Sequence, residues 1–103
     1  MTAPDFWKWF DATTAKAEAS EPGKMLKAAG YTVHHTGGGY VCWARRLEDG
    51  RYLWICDEQN GPGERLDEPY LVGFYDNKGG VLAQGNVPSL QAALGWCEAR
   101  CVR

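Results

Sequence analysis

Alternating apolar and polar residues dominate the segment 31–57, and this pattern predicts three antiparallel strands joined by two tight turns. Val, Ile, Thr, Tyr and Trp, the residue types that favour pleated strands, make up much of the segment. Only a run of glycines at 37–39 and the sequence Glu-Asp-Gly at 48–50 interrupt it. The rest of the chain can be placed as a continuation or a cover of these strands.

The first strand, residues 31–36, is predicted to point its two histidines in opposite directions. Its alternation places Tyr31, Val33 and His35 on one face and Thr32, His34 and Thr36 on the other.

The glycines Gly37, Gly38 and Gly39 predict a flexible chain reversal, because glycine accepts positive φ without a steric penalty. The alternative is a backbone cradle for an anion, with His34 and Thr36 beside it. A phosphate-binding glycine loop normally leads into a helix, however, and this one leads into a strand. The patterns GxGxxG and GxxxxGK[ST] are both absent.

The second turn decides which residues share a face of the sheet. A three-residue loop 48–50, with Gly50 in the left-handed conformation, places Ala44 opposite Trp54 and Arg46 opposite Tyr52. A two-residue loop would mix apolar and charged residues on one face. The three-residue register predicts a core face of Val41, Trp43, Leu47, Leu53 and Ile55, interrupted only by Arg45. It predicts a second face of Cys42, Ala44, Arg46, Tyr52, Trp54 and Cys56. The arginine beside a tyrosine and a tryptophan on this face is suited to cation–π stacking.

Helical periodicity appears at both ends of the chain. Residues 4–20 form an amphipathic pattern, the sequence Glu21-Pro22-Gly23 is predicted to break it, and residues 24–29 resume it for about two turns. Gly30 stands where a left-handed C-terminal cap would be needed. Near the other end, Ser89 is predicted to cap a final helix that runs from residue 90 to about residue 101.

An acidic, turn-rich loop at 57–69, which is predicted to be polar and exposed, and two further strands, 70–75 and 81–84, complete the pattern. The sequence therefore predicts one α+β domain that spans residues 1–103. Its centre is an antiparallel meander of four to five strands, covered on one face by an N-terminal helical region and a C-terminal helix.

Composition narrows the class of protein. The chain has 103 residues, 45% of them hydrophobic and 23% charged, which is typical of a globular domain and not of a disordered chain or a coiled coil. A formal charge of -2 gives no general attraction to phosphate, so direct general nucleic-acid binding is not expected. No signal peptide or apolar run long enough for a membrane is apparent, and a cytoplasmic protein without membrane contact is expected.

Four cysteines and two histidines do not match a metal-binding spacing, since no CxxC occurs and two of the cysteines share a helical stripe with leucines. Buried thiols are expected, with no metal and no cofactor. A histidine beside Cys42 could imitate a Cys–His catalytic pair, but no catalytic motif is present, and an enzyme is not expected.

The run from the first strand through TGGG to WxRxLxDGxYLWICD, within 31–57, resembles small uncharacterised proteins of bacteriophages and mobile elements. The resemblance implies an accessory or anti-defence role, in which such a protein inhibits a host complex such as a CRISPR effector by binding it. It implies no catalytic residues.

Two hypotheses about function follow, and a self-assembling subunit is a third possibility. The first is stoichiometric binding of a protein or protein–nucleic-acid complex, because Trp, Tyr and Arg often carry binding energy at interfaces. Its candidate residues are Arg46, Tyr52, Trp54, Glu58 and Glu64. The alternative is binding or sequestration of a nucleotide or phosphate, with the candidate residues His34, Thr36, Gly37, Gly38 and Gly39.

Overall fold

Three helices and five strands follow one another in the computed structural model, which describes residues 3–37 and 40–101. In chain order they are α1 (Ala3–Ala19), α2 (Glu21–Ala28), β1 (Thr32–Gly37), β2 (Tyr40–Arg46), β3 (Tyr52–Asp57), β4 (Tyr70–Tyr75), β5 (Val81–Val87) and α3 (Leu90–Cys101). The strands form one antiparallel sheet in the order β1-β2-β3-β4-β5, so each strand pairs with its neighbour in sequence. This is the α+β meander that the sequence predicts.

The turn between β2 and β3 has the predicted three-residue loop. The amide of Leu47 donates to the carbonyl of Arg51 at 2.7 Å, and the amide of Gly50 donates to the carbonyl of Leu47 at 3.0 Å. Gly50 has a φ of 90°, the left-handed conformation that this loop requires. Ala44 then pairs with Trp54 and Arg46 with Tyr52, which confirms the predicted register.

The same turn recurs twice, at 57–61 and 76–80. In each, the first amide donates to the fifth carbonyl, and the fourth amide donates back to the first carbonyl. The left-handed position is held by Asn60, with a φ of 61°, and by Gly79, with a φ of 86°. One carboxylate oxygen of Asp57, and likewise one of Asp76, accepts two amides of its own turn and so rigidifies it.

The core lies between one face of the sheet and all three helices. Trp43, Leu53 and Ile55 have no exposed surface on the sheet side, and Leu90 and Cys97 of α3 pack against them in one cluster. The helices bury apolar surface only on this side, which we call the core face. The cluster also contains Ala17, Leu26, Tyr31, Tyr70, Val72, Phe74 and Ala93.

The predicted break at Glu21-Pro22-Gly23 is wrong in one respect, because these residues form the first turn of α2. Ser20 separates the two helices as the N-cap: its hydroxyl donates to the carbonyl of Ala17 at 2.6 Å and accepts from the amide of Gly23 at 3.0 Å. A proline is tolerated in a first turn, where its missing N–H has no helical partner. The chain therefore changes direction at one residue.

The end of α2 follows the sequence prediction. Gly30 has a φ of 93°, its amide donates to the carbonyl of Lys27, and the amide of Tyr31 donates to the carbonyl of Leu26. These paired bonds satisfy the last carbonyls of the helix and direct the chain into β1. At the start of α3, the predicted cap Ser89 accepts the amide of Ala92 at 3.1 Å.

The bounds of several elements and the acidic loop differ from the prediction. β1 spans Thr32–Gly37 instead of 31–36, β5 continues to Val87 instead of ending at Gln84, and α1 spans Ala3–Ala19 instead of 4–20. The loop after β3 was predicted to be polar and exposed, but Trp43 Nε1 donates to the carbonyl of Pro62 at 3.0 Å and Gly63 is buried. Part of the loop therefore belongs to the core. None of the helices within the described ranges is long and apolar enough to cross a membrane.

Replacement of Gly23 by Ala should destabilise the protein by about 1–3 kcal/mol. A Cβ at this buried position would overlap the carbonyl oxygen of Ala17, and backbone atoms cannot move aside as a flexible side chain can. The two helices would have to separate. Urea denaturation of both proteins measures the loss.

The matched control is Gly95→Ala in α3, where a Cβ meets nothing within 4 Å. Alanine is the better helix former, so this variant should gain about 0.5–1 kcal/mol. Equal stabilities of the two variants would contradict the close approach of α1 and α2.

Candidate functional site

The sheet face opposite the helices is the candidate functional surface, and we call it the open face. Alternation along each strand sends every second side chain to it. The central members are Arg46 on β2, Tyr52 and Trp54 on β3, and Tyr75 on β4, which the register places in adjacent rows. Other residues of the open face are Thr32, His34, Cys42, Ala44, Cys56, Gly73, Gln84 and Asn86.

Three aromatic rings form a cluster on the open face. Tyr52 and Tyr75 stack with centroids 5.2 Å apart, and Trp54 meets Tyr75 at 5.8 Å and Tyr52 at 6.1 Å. Gly73 makes room for this cluster, because a Cβ there would lie 2.5 Å from the hydroxyl oxygen of Tyr75. The Tyr75 ring therefore rests on the backbone of β4, where it fills the space that the missing side chain leaves. All three rings are half-buried and keep surface for a partner.

A groove of about 400 Å³ runs beside the ring cluster. Its base is Ala44, one wall is formed by Tyr52 and Trp54, and the turn between β4 and β5 closes one end. The lining residues that carry or can carry positive charge are His34, Arg46 and Lys78. None of the described residues that line the groove is a carboxylate, so its polar character is cationic.

The groove unites residues that the sequence assigned to two competing hypotheses. Arg46, Tyr52 and Trp54 were candidates for protein binding, and His34 was a candidate for ligand binding. The opposite orientation of the two histidines is confirmed: His34 lines the groove, while His35 packs among the rings of Phe6, Trp7 and Phe10 of α1.

The other predicted site residues lie elsewhere. Glu58 follows β3, and its carboxylate accepts a hydrogen bond from Asn86 Nδ2 at 3.2 Å, away from the groove. Glu64 lies on the helical side, where it lines a separate cleft of about 710 Å³ between α1 and the loop after β3. The structure thus groups Arg46, Tyr52 and Trp54 without these carboxylates.

The proposed glycine cradle falls partly outside the described residues. Gly38 and Gly39 are among those not described, and Thr36 and Gly37 lie at the end of β1. Among the ligand-binding candidates whose side chains the structure describes, His34 lines the groove.

Four described residues of the groove or the ring cluster are neither among the candidates nor on the second face that the sequence predicts: Tyr75, Asn77, Lys78 and Gly79. A signal for Tyr75 existed, since a register between β3 and β4 would have placed it opposite Tyr52. The long loop between those strands leaves that register open in the sequence. The expected stacking of Arg46 on a ring is also not seen; the guanidinium groups over rings in the described part of the chain are those of Arg51 and Arg100.

Cys42 and Cys56 lie on the open face with protonated thiols. Burial raises the pKa of Cys42 to about 12, and the neighbouring Cys56 adds to the effect. Burial likewise raises the pKa of Cys56 to about 11. His34 pairs with Cys42 across β1 and β2, yet a thiol with so high a pKa supplies almost no thiolate at neutral pH. This chemistry is that of a structural thiol.

The described residues contain no group of three or more His, Cys, Asp or Glu side chains positioned to hold a metal ion. The two cysteines of α3 belong to the core side instead, and burial raises the pKa of Cys97 to about 11. Cys97 and Tyr31 also share a hydrogen bond.

The stability of the protein should fall as the pH rises from about 8 to about 10. The buried thiols keep their protons to a higher pH in the folded state, so above the ordinary thiol pKa of 9.0 the unfolded chain loses protons first. Their stabilising contribution is complete below that pKa and is lost toward pH 11 to 12. By pH ~10, each buried thiol should lower the free energy of unfolding by about 1 kcal/mol relative to pH ~8. Urea denaturation across the pH series measures this loss.

A Cys42→Ala variant provides the control for this effect. It should show a shallower decline with pH, because one of the titrating thiols is gone. A decline as steep as that of the parent protein would contradict the assignment of a raised pKa to Cys42.

Comparison with known proteins identifies no relative of this chain. No protein-family model, curated protein or solved structure gives a match to the chain. Inference about function therefore rests on the residues of the open face.

Proposed function

We propose that the protein is a non-enzymatic binding protein that acts stoichiometrically through the open face of its sheet. The partner is a protein or a protein–nucleic-acid complex, and the contact is made by Arg46, Tyr52 and Trp54. The observation that carries the proposal is the shared position of an arginine and two half-buried rings beside a cationic groove, on a face to which no described helix contributes core residues.

The residue types and their setting support binding at this face. Trp, Tyr and Arg are the types most often found at the energetic centres of protein interfaces. The rings are already held by one another and by Gly73, so little side-chain entropy remains to be lost on binding. The groove's cationic lining favours a partner surface that presents carboxylate or phosphate groups.

The resemblance of residues 31–57 to phage and mobile-element proteins motivates the biological form of the proposal. In this form of the proposal, the protein binds a host complex in the cytoplasm and thereby inhibits it, as an anti-defence factor does. The protonated thiols of Cys42 and Cys56 support a binding role over cysteine-based catalysis at this face.

Replacement of Arg46, Tyr52 and Trp54 together by Ala should weaken partner binding at least ~100-fold, or about 2.7 kcal/mol, because the ring anchors and the charge are removed at once. The partner is first recovered from host extracts with the parent protein as bait. Its affinity for the parent and for the triple variant is then measured by calorimetry.

A Lys24→Ala/Gln91→Ala variant is the matched control, since both side chains are exposed on helices of the opposite side. It should bind like the parent protein. If the triple variant stays folded, by its circular dichroism, and binds as tightly as the control, the open face is not the binding surface.

A nucleotide or phosphate ligand is the second candidate, and the position of His34 favours it. His34 lines the same groove as Arg46 and Lys78, so an imidazole and two cationic side chains face one space next to two rings. A volume of about 400 Å³ is within the range of small-molecule sites. Rings that can stack on a base and cations that can pair with phosphate would suit this ligand class.

A panel of nucleoside monophosphates and inorganic phosphate tests this candidate by thermal unfolding. A ligand at 100 times its dissociation constant should add about 2.7 kcal/mol of stability. An Arg46→Ala/Lys78→Ala variant should lose the effect, and Arg65→Ala, which changes an exposed arginine outside the groove, should retain it. No stabilisation by any member of the panel would remove the second candidate.

A further inference from the structure

The outer edge of β5 carries features of an interface that the proposed function does not use. β5 is the last strand of the sheet order, so half of its backbone N–H and C=O groups point away from β4. Natural proteins usually protect such an edge with lysine, proline or a short strand. β5 has seven residues, Val81–Val87, and its sequence VLAQGNV contains no charge and no proline.

The geometry of β5 is regular over most of its length. One register shift lies near its start, and from Ala83 to Val87 each residue pairs in sequence with β4. Two apolar side chains at the start of the strand, Val81 and Leu82, are 58% and 50% exposed. The strand is thus straight enough to pair and carries uncovered apolar surface.

The other edge strand lacks this combination. β1 contains both histidines, packs beside α1, and ends at a part of the chain that the structure does not describe. Of the two edges, β5 is the one that is fully described and whose own side chains are uncharged.

We propose that β5 pairs antiparallel with β5 of a second copy of this chain, about a two-fold axis at Gly85, to form a dimer with one continuous ten-stranded sheet. Such a pairing is isologous, so the strand must be complementary to itself. Ala83 then lies opposite Val87 of the second copy, and Gln84 lies opposite Asn86 of the second copy.

The side chains of β5 satisfy this requirement. Gln84 and Asn86 are exposed on the open face and carry no charge, and amides can both donate and accept. Asn86 Nδ2 donates to the carboxylate of Glu58 at 3.2 Å, and its amide oxygen can accept from Gln84 of the second copy. On the core face, Trp96 of α3 lies over Gly85, with its Nε1 3.3 Å from where a Cβ would stand. The axis brings the two half-buried Trp96 rings toward each other and removes apolar surface from water.

The size of the contact sets its strength. Stable specific interfaces bury on the order of 1,200–2,000 Å², and one strand with a helix rim lies at the lower end of that scale. The dimer is therefore a concentration-dependent one, and the pairing of β5 leaves the groove at Arg46 free because that groove lies toward β2 and β3.

Sedimentation equilibrium over a wide range of protein concentration tests the proposal. The parent protein should shift from monomer to dimer, and the amides of β5 should become more protected from hydrogen exchange as it does so. A strictly monomeric protein at every concentration overturns the proposal.

Charge substitutions at exposed positions test the register. The double variants Gln84→Lys/Asn86→Lys and Gln84→Glu/Asn86→Glu should each stay monomeric, because like charges would face each other across the axis. An equimolar mixture of the two should restore a dimer. Dimers of either double variant alone, or a mixture that stays monomeric, overturn the antiparallel pairing.

An Ala12→Lys/Gln59→Lys variant is the matched control for the lysine variant, since it adds the same two positive charges at exposed positions of α1 and of the loop after β3, and it should dimerise like the parent. The triple variant of Arg46, Tyr52 and Trp54 should also dimerise. Loss of partner binding and loss of dimerisation are therefore separable, and either proposal can fail without the other.

Discussion

The three-residue turn between β2 and β3 is the constraint on which the rest of the structure depends. Its left-handed Gly50 sets the register of the central hairpin, and the register sends Trp43, Leu53 and Ile55 to the core face. A loop shorter by one residue would place Leu53 and Ile55 on the same face as Arg46 and leave Trp43 on the other face. One glycine conformation therefore determines both what the helices cover and which residues face outward.

Much of the fold could be predicted because its signals are local. The local signals are the glycines Gly50 and Gly79 of the two hairpin turns, the proline and serine at the helix junction, and the alternation of the strands, each of which spans only a few residues of sequence. The predicted helix break at residues 21–23 is wrong because Pro22 occupies the first turn of α2, where a proline does not break a helix. The hydrogen bond from Trp43 Nε1 to the carbonyl of Pro62 could not be predicted, since it joins residues 19 positions apart.

The candidate site was only half predictable for the same reason. Arg46, Tyr52 and Trp54 come from one hairpin, whose register the sequence determines. Tyr75 and Lys78 follow the long loop between β3 and β4, and the length of that loop does not determine the register of the two strands. The sequence alone therefore could not place Tyr75 in the ring cluster or Lys78 in the groove. The charge of the groove could not be predicted from the net charge either, since the chain is acidic overall and the described groove lining is cationic.

The pairing of every strand with its neighbour in sequence also shapes how the chain folds. The hairpins β2–β3 and β4–β5 close over short turns, which keeps the entropy cost of each closure low, while β3 and β4 are joined by the longer loop 58–69. The repeated turns at 47–51, 57–61 and 76–80 supply local nuclei along the same path. The sheet can therefore assemble strand by strand, while the helices at the two ends of the chain dock onto a register that is already set.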